Sequence, residues 1–182
     1  MLTKNISNQD IRIHGFSPDP FRSDKDPDTR NGGVCLYFKE SLPIKERCDL
    51  EILPETIVAE IKLNRKKVFI VLSYRHPNMS YDELVEYMRL LENTYESIRK
   101  ENPSVSILCG DFNARSPLFW EGDSENNAGR LLNNFVISNH LQQLIDEPSH
   151  VRDDGSQSCV DLICTDHYGN WSFIILRSPL QA

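Results

Sequence analysis

The stretch Val105 to Asn113, V-S-I-L-C-G-D-F-N, constrains this chain more than any other. It opens as a short apolar run after the break at Pro103, the pattern of a strand buried on both faces. At Gly110 the chemistry changes: Asp111 and Asn113 follow, with Phe112 between them. In an extended chain residues two apart share a side, so a carboxylate and a carboxamide face the same way at the mouth of a buried strand. Ligand sites in α/β folds gather outside strand ends. Taken alone, the motif serves equally well as an Asp-Asn turn after a core strand.

The rest of the chain supplies further strands and two helices. Ile11, Ile13 and Phe16 alternate as in a short strand, and the Pro-, Asp- and Arg-rich run from Ser17 to Gly33 reads as a surface loop. Gly33 to Phe38 is a strand. Thr56 to Leu63 alternates Ile57, Ala59, Ile61 and Leu63 on one face, the period of a half-buried strand, and a hairpin turn around Asn64 leads into the buried strand Val68 to Ser73. Ser80 with Glu83 forms a capping box for a helix carrying Leu84, Met88, Leu91, Tyr95 and Ile98 on one face, with Arg99 and Lys100 in its last turn and Pro103 beyond it. A polar loop with Trp120 precedes a second helix expected over Gly129 to Leu144. Cys159 to Cys164 and Trp171 to Leu176 are the last strands. With 182 residues and neither repeat nor linker, residues 1–182 read as a single domain.

Composition excludes several classes. No apolar run approaches the ~18 residues of a membrane span, so no membrane partner is expected. The N-terminus lacks the apolar centre of a secretory signal. Five cysteines in no C-x-x-C spacing argue against a disulfide framework or a zinc site, and an intracellular location follows. Cys35, Cys109, Cys159 and Cys164 lie in apolar segments and read as small core residues. The net charge of −7 disfavours a broad nonspecific nucleic-acid binder, yet is compatible with carboxylates that hold metal ions.

Three buried runs carry an unexpected polar group: Tyr74 after V-F-I-V-L-S, Asp111 and Asn113 after V-S-I-L-C-G, and Asp161 inside C-V-D-L-I-C. A carboxylate within an apolar strand needs a partner, and a structural hydrogen bond would satisfy Asp161. Tyr74 alone reads as a core tyrosine. Their conjunction, in this order, is the informative feature.

The chain resembles the endonuclease/exonuclease/phosphatase superfamily, in particular the apurinic-type endonuclease domain of non-LTR retrotransposons. The resemblance runs from about Leu2 to Thr165. It rests on G-G-V-C-L-Y-F at Gly32 to Phe38, S-Y-R-H-P at Ser73 to Pro77, G-D-F-N-A-R-S-P-L-F-W at Gly110 to Trp120, N-x-x-G-R-L-L ending at Leu132, E-P-S-H at Glu147 to His150 and S-C-V-D-L-I at Ser158 to Ile163. It implies an α/β fold, a four-layer α/β/β/α sandwich, here incomplete, with its site at one end of two packed sheets. It also implies hydrolysis of DNA phosphodiesters with magnesium, and admits the nucleus as a location. On the matching positions, Asp111 would orient or deprotonate the attacking water. Asn113 would hold a phosphate oxygen, Tyr74 would donate a hydrogen bond near the reacting phosphate, and Asp161 would orient a histidine. Such a division suits phosphoryl transfer, which needs mostly aimed charge and hydrogen bonds.

Three parts of that pattern are not matched: an Asn on the first strand, a metal-binding Glu just before the segment matched by Leu2 to Ser7, and a terminal Ser-Asp-His. Glu40, Glu46 and Glu60 lie too far along and read as solvated acids. His167 follows Asp161 by six residues, about 20 Å along a strand at ~3.3 Å each, and reads as a loop residue. The expectation is therefore a partial domain, truncated at both ends, inactive or nearly so and poorly soluble because strand edges and apolar faces stay open. The alternatives are a phosphatase of the same superfamily and a non-catalytic fragment of a degraded element.

Overall fold

The computed structural model describes residues 7–23, 33–145, 147–152, 154–167 and 169. In chain order its elements are β1 (Phe21–Ser23), β2 (Val34–Leu36), β3 (Ile44–Glu46), β4 (Thr56–Leu63), β5 (Lys66–Ser73), α1 (Tyr81–Lys100), β6 (Val105–Asp111), α2 (Asn127–Ser138), β7 (Gln142–Gln143), β8 (His150–Val151), β9 (Gln157–Ser158) and β10 (Asp161–Thr165). Six strands make one mixed sheet in the order β3-β4-β5-β6-β10-β7; β5 and β6 are parallel, and the other pairs are antiparallel. A parallel pair needs a crossover, and α1 supplies it. This is the expected α/β arrangement. Among the described residues one sheet carries the helices, and the β1–β2 pair lies against β4 and β5.

The core forms where alternate strand residues meet the helices. Val58, Phe69, Val71, Leu108, Leu162 and Cys164 from the sheet join Leu84, Leu91, Ile98, Leu132 and Phe135 in one buried cluster. Helix α1 is as its sequence reads: Ser80 accepts from the Glu83 amide, and the Glu83 carboxylate accepts from the Ser80 amide. Among the described residues no helix is long and apolar enough to cross a membrane.

Several sequence expectations change. β4 is not half-buried: every residue from Thr56 to Ile61 is buried, because β3 and β5 flank it and both faces are covered. Glu60 in that run is 5% exposed and paired with Arg47, not solvated. Ile11 and Ile13 form no strand; Asp10 accepts from the Ser7 amide and hydroxyl and turns the chain locally. β1 instead falls within the stretch expected to be loop. Helix α2 stops at Ser138, six residues short of Leu144, and β7 follows. Cys159 and Cys164 are buried as expected, whereas Cys35 and Cys109 are only partly so. The strand expected over Trp171 to Leu176 lies outside the described residues, as do Leu2 to Ile6 and Gly32 at the ends of two matching segments.

Candidate active site

The site is built at the tip of β6. Gly110 has φ 137°, and a Cβ there would sit 1.9 Å from the Ser73 carbonyl oxygen. Only glycine lets β5 and β6 approach so closely with that backbone. Phe112 is fully buried and its amide donates to the Val160 carbonyl, which anchors the turn to the segment before β10. Asn113 takes the left-handed conformation, φ 46°, one that asparagine tolerates. Its amide donates to Asp111 Oδ1 at 2.9 Å and its side-chain Nδ2 donates to the Arg75 carbonyl at 2.8 Å. Asp111 and Asn113 thus flank a buried aromatic anchor and line one cleft.

That cleft has a volume of about 340 Å³, and its lining includes Asp111, Asn113, Arg115, Asn126, His150 and Arg152. Asn126 caps α2: its Oδ1 accepts from the Gly129 and Arg115 amides, and its Nδ2 donates to the Asn113 carbonyl. Helix α2 sits tight against this loop, since a Cβ on Gly129 would come 1.8 Å from the Arg115 carbonyl oxygen. Opposite, Asp123 is buried and accepts from the Cys159 amide, and Ser149 Oγ accepts from the Val160 and Asp161 amides. These bonds fix the approach to β10 beside β6.

Of the four residues singled out by sequence, Asp111 and Asn113 line the cleft. Asp161 is the cross-strand partner of Asp111. It opens β10 and is exposed, so it is not the buried carboxylate its apolar setting implies. Tyr74 is half-buried, donates its amide to the Glu55 carbonyl and stacks edge-on with His76 at 6.4 Å. Burial raises the Asp111 carboxyl above the ordinary carboxylate range; Asp161 adds to the rise, while the Asn113 amide, Arg75 and His150 oppose it. Tyr74 is raised as well, by burial first and then by the Asp111 charge. Tyr74, Asp111 and Asp161 therefore form one electrostatic neighbourhood around the β6 tip. His167 follows β10 at the end away from Asp161 and is exposed, and its amide donates to the Thr165 hydroxyl.

Sequence reasoning gave no role in the site to Arg75, Asn126, His150 or the two cleft arginines, Arg115 and Arg152, although all but Arg152 lie in matched motifs. Asn126 had a usable signal, an N-x-x-G spacing that fits a cap to the third helical residue. His150 ends the matched E-P-S-H segment, but no spacing shows that the short β8–β9 pair carries it to the cleft.

A magnesium ion takes several oxygen ligands in near-octahedral geometry. Among the described residues no three acidic, imidazole or thiolate donors converge at the cleft. The trio whose donor atoms do converge, Glu46, Cys48 and Glu51, lies at edge strand β3 and after it, and β3 is three strands from β6. The described residues therefore do not complete a magnesium site at Asp111.

Residues 68–171 match a family described as endonuclease-reverse transcriptase. Among solved structures the chain is similar to the endonuclease domain of TRAS1, a telomere-specific non-LTR retrotransposon, with 22% identity and a TM-score of 0.64 over 84% of this chain and 67% of that one. It is similar to the 3′ phosphatase NExo from Neisseria bound to a product DNA hairpin, with 12% identity and a TM-score of 0.57 over 90% of this chain and 72% of that one. It is also similar to the human Nocturnin catalytic domain with bound sulfate, with 15% identity and a TM-score of 0.53 over 84% of this chain and 61% of that one. These likenesses establish the fold. Comparison with curated protein sequences gives no match.

Proposed function

The chain belongs to the endonuclease-reverse transcriptase family of the endonuclease/exonuclease/phosphatase superfamily, and from that premise we propose that it is an endonuclease-type domain of a non-LTR retrotransposon, intracellular and built for DNA phosphodiesters. The observation that carries the reading is the cleft at the β6 tip, where Asp111 and Asn113 stand among Arg115, Asn126, His150 and Arg152. Arginines, an amide and an imidazole offer donors to phosphate oxygens. A carboxylate with a raised pKa is suited to accept a proton from water. In this reading Asp111 directs the attacking water, Asn113 holds a phosphate oxygen, Tyr74 donates to the reacting phosphate and Asp161 orients a histidine. Magnesium would supply positive charge beside Asp111 only with ligands besides those that the described residues offer there.

The polypeptide of 182 residues, on its own, is proposed to turn over little or no DNA. The matched motifs include neither the Glu that would bind metal nor the terminal His. A positioned acid or base is worth ~10²–10⁴-fold, and a catalytic metal several kcal/mol more. Incubation of supercoiled plasmid with the protein and magnesium tests this, with Asp111→Ala as the control. No nicking above that control is expected. Robust nicking abolished by Asp111→Ala would refute the inactivity and leave the site assignment standing. On a chain extended with segments that carry the family's metal-binding Glu and terminal His, Asp111-dependent nicking is expected. The similarity to a 3′ phosphatase supports the second reading, which would prevail if the extended chain released phosphate from DNA 3′ ends and cut no internal bond.

A further inference from the structure

Arg75 lies behind the cleft, 4% exposed. Its guanidinium donates from Nε to the Phe112 carbonyl at 2.5 Å, from Nη2 to the Asn113 carbonyl at 3.0 Å and from Nη1 to the His76 carbonyl at 2.8 Å. Its own amide donates to the Asp111 carbonyl at 2.9 Å, and its carbonyl accepts from Asn113 Nδ2. One residue after β5 therefore bonds to Asp111, Phe112 and Asn113 in succession. Every acceptor of the guanidinium is a main-chain carbonyl, and no carboxylate among the described residues forms an ion pair with it.

Burying a cation without a carboxylate partner is costly, and holding a turn together does not require a charge. What the charge does face is informative. Burial lowers the Arg75 guanidinium below its ordinary range, and Tyr87 of α1, Asp111 of β6 and Tyr74 act against that fall. Asp111 in turn sees Asp161 from β10, His150 from β8 and Arg75 from behind. Arg75 is thus the buried cation behind a pair of facing carboxylate residues. It also fixes the backbone at Asn113, which sits in a conformation that costs free energy unless its surroundings hold it.

We propose that Arg75 is the positioning residue of this site: its guanidinium and its amide together set the main chain that presents Asp111 and Asn113 to the cleft. The inference rests on the reading of Asp111 and Asn113 as the reacting groups, and extends it to a residue that touches neither water nor substrate in that scheme.

The test uses the 182-residue chain with Arg75→Gln and Arg75→Lys. NMR follows the Asp111 carboxyl through a pH titration and the hydrogen exchange of the Asn113 amide. In Arg75→Gln the Asp111 midpoint is expected to rise, and the Asn113 amide to exchange at least about tenfold faster, the scale of one lost charge-assisted hydrogen bond. Arg75→Lys keeps the charge but cannot span three carbonyls, so it should restore the midpoint and not the exchange rate. Folded variants in which both quantities match the parent would overturn the proposal and leave Arg75 a packing residue. Should Arg75→Gln fail to fold, Arg75→Lys decides: faster exchange at an unchanged midpoint supports the role, and unchanged exchange overturns it. Neither readout needs turnover. An extended chain that never cuts DNA would remove the nuclease reading without touching these results.

Discussion

Asp111 is the residue at which stability and chemistry pull apart. Burial raises its carboxyl above the ordinary range, and the neighbouring Asp161 adds to the effect. A raised folded-state pKa means that the native protein favours the protonated form more than the unfolded chain does. Its stabilising contribution is complete below the unfolded pKa, about 3.9, and is lost as pH rises through the higher folded value. Replacing Asp111 with Asn keeps the acceptor for the Asn113 amide and removes the buried charge. Asp111→Asn is therefore expected to be more stable than the parent at pH 7, by about 0.5–2 kcal/mol, the range of single stabilising changes at functional sites. The gain should vanish near pH 3. Urea unfolding at both pH values measures it, and a variant less stable at pH 7 would refute it. At this scale the sequence reveals Asp111 and Asn113, because a period of two and a glycine are enough to place them. It does not reveal Arg75, whose side chain finds main-chain carbonyls at Phe112 and Asn113, distant along the chain; carbonyls carry no residue identity, so no spacing records the contact.

Elements follow the same division between local and distant causes. Helix α1 is readable from end to end because its signals are local: a capping box at Ser80, basic residues in the last turn and a proline beyond. The start of α2 is local too, set by Asn126. Its end is not. Asn139 is 8% exposed and its side chain is held by helix α1, donating to Glu92 at 3.0 Å and accepting from Arg99, while it also donates to the Phe135 carbonyl. His140 then turns left-handed at φ 53°, and the chain leaves the helix although apolar residues continue at helical spacing. β3, β7, β8 and β9 span two or three residues each, too few for a period to show. Removing the tertiary stop should be costly. Asn139→Ala removes three side-chain hydrogen bonds at a buried position and is expected to lose about 1–3 kcal/mol, against about 0.5 kcal/mol or less at an exposed helix position. A urea midpoint shift with an unchanged slope would show this, and a shift no larger than that of Asn134→Ala on the exposed side of α2 would refute it.

Across the whole molecule the sheet places the β6 tip, but a charged knot at its other side ties the layers together. Arg47, just past β3, bonds Glu60 of β4 at 3.0 Å, Glu101 after α1 at 3.0 Å and Asp49 at 2.8 Å, and Lys67 of β5 bonds Glu101 at 3.0 Å. The guanidinium also lies 5.6 Å from the Phe69 ring centroid. Strands β4 and β5 and the end of α1 therefore meet in one network far from the cleft along the chain, and each member looks like an ordinary surface charge in the sequence. Glu60 is the member with most to lose, buried at 5% exposure with Arg47 at 3.0 Å and, among the described residues, otherwise only the exposed Lys62 at 3.4 Å as a cation. Taking away one partner of a buried ion pair costs about 3–5 kcal/mol, because the other charge is left without compensation, whereas replacing both by apolar groups is often neutral. Arg47→Met is accordingly expected to lose about 3–5 kcal/mol, and Arg47→Met with Glu60→Leu to recover most of it. Equilibrium unfolding of the two variants and the parent separates the cases. If the double variant falls as far as the single one, the loss lies in the contacts of Arg47 to Glu101, Asp49 and Phe69, and the stranded charge on Glu60 is not its cause.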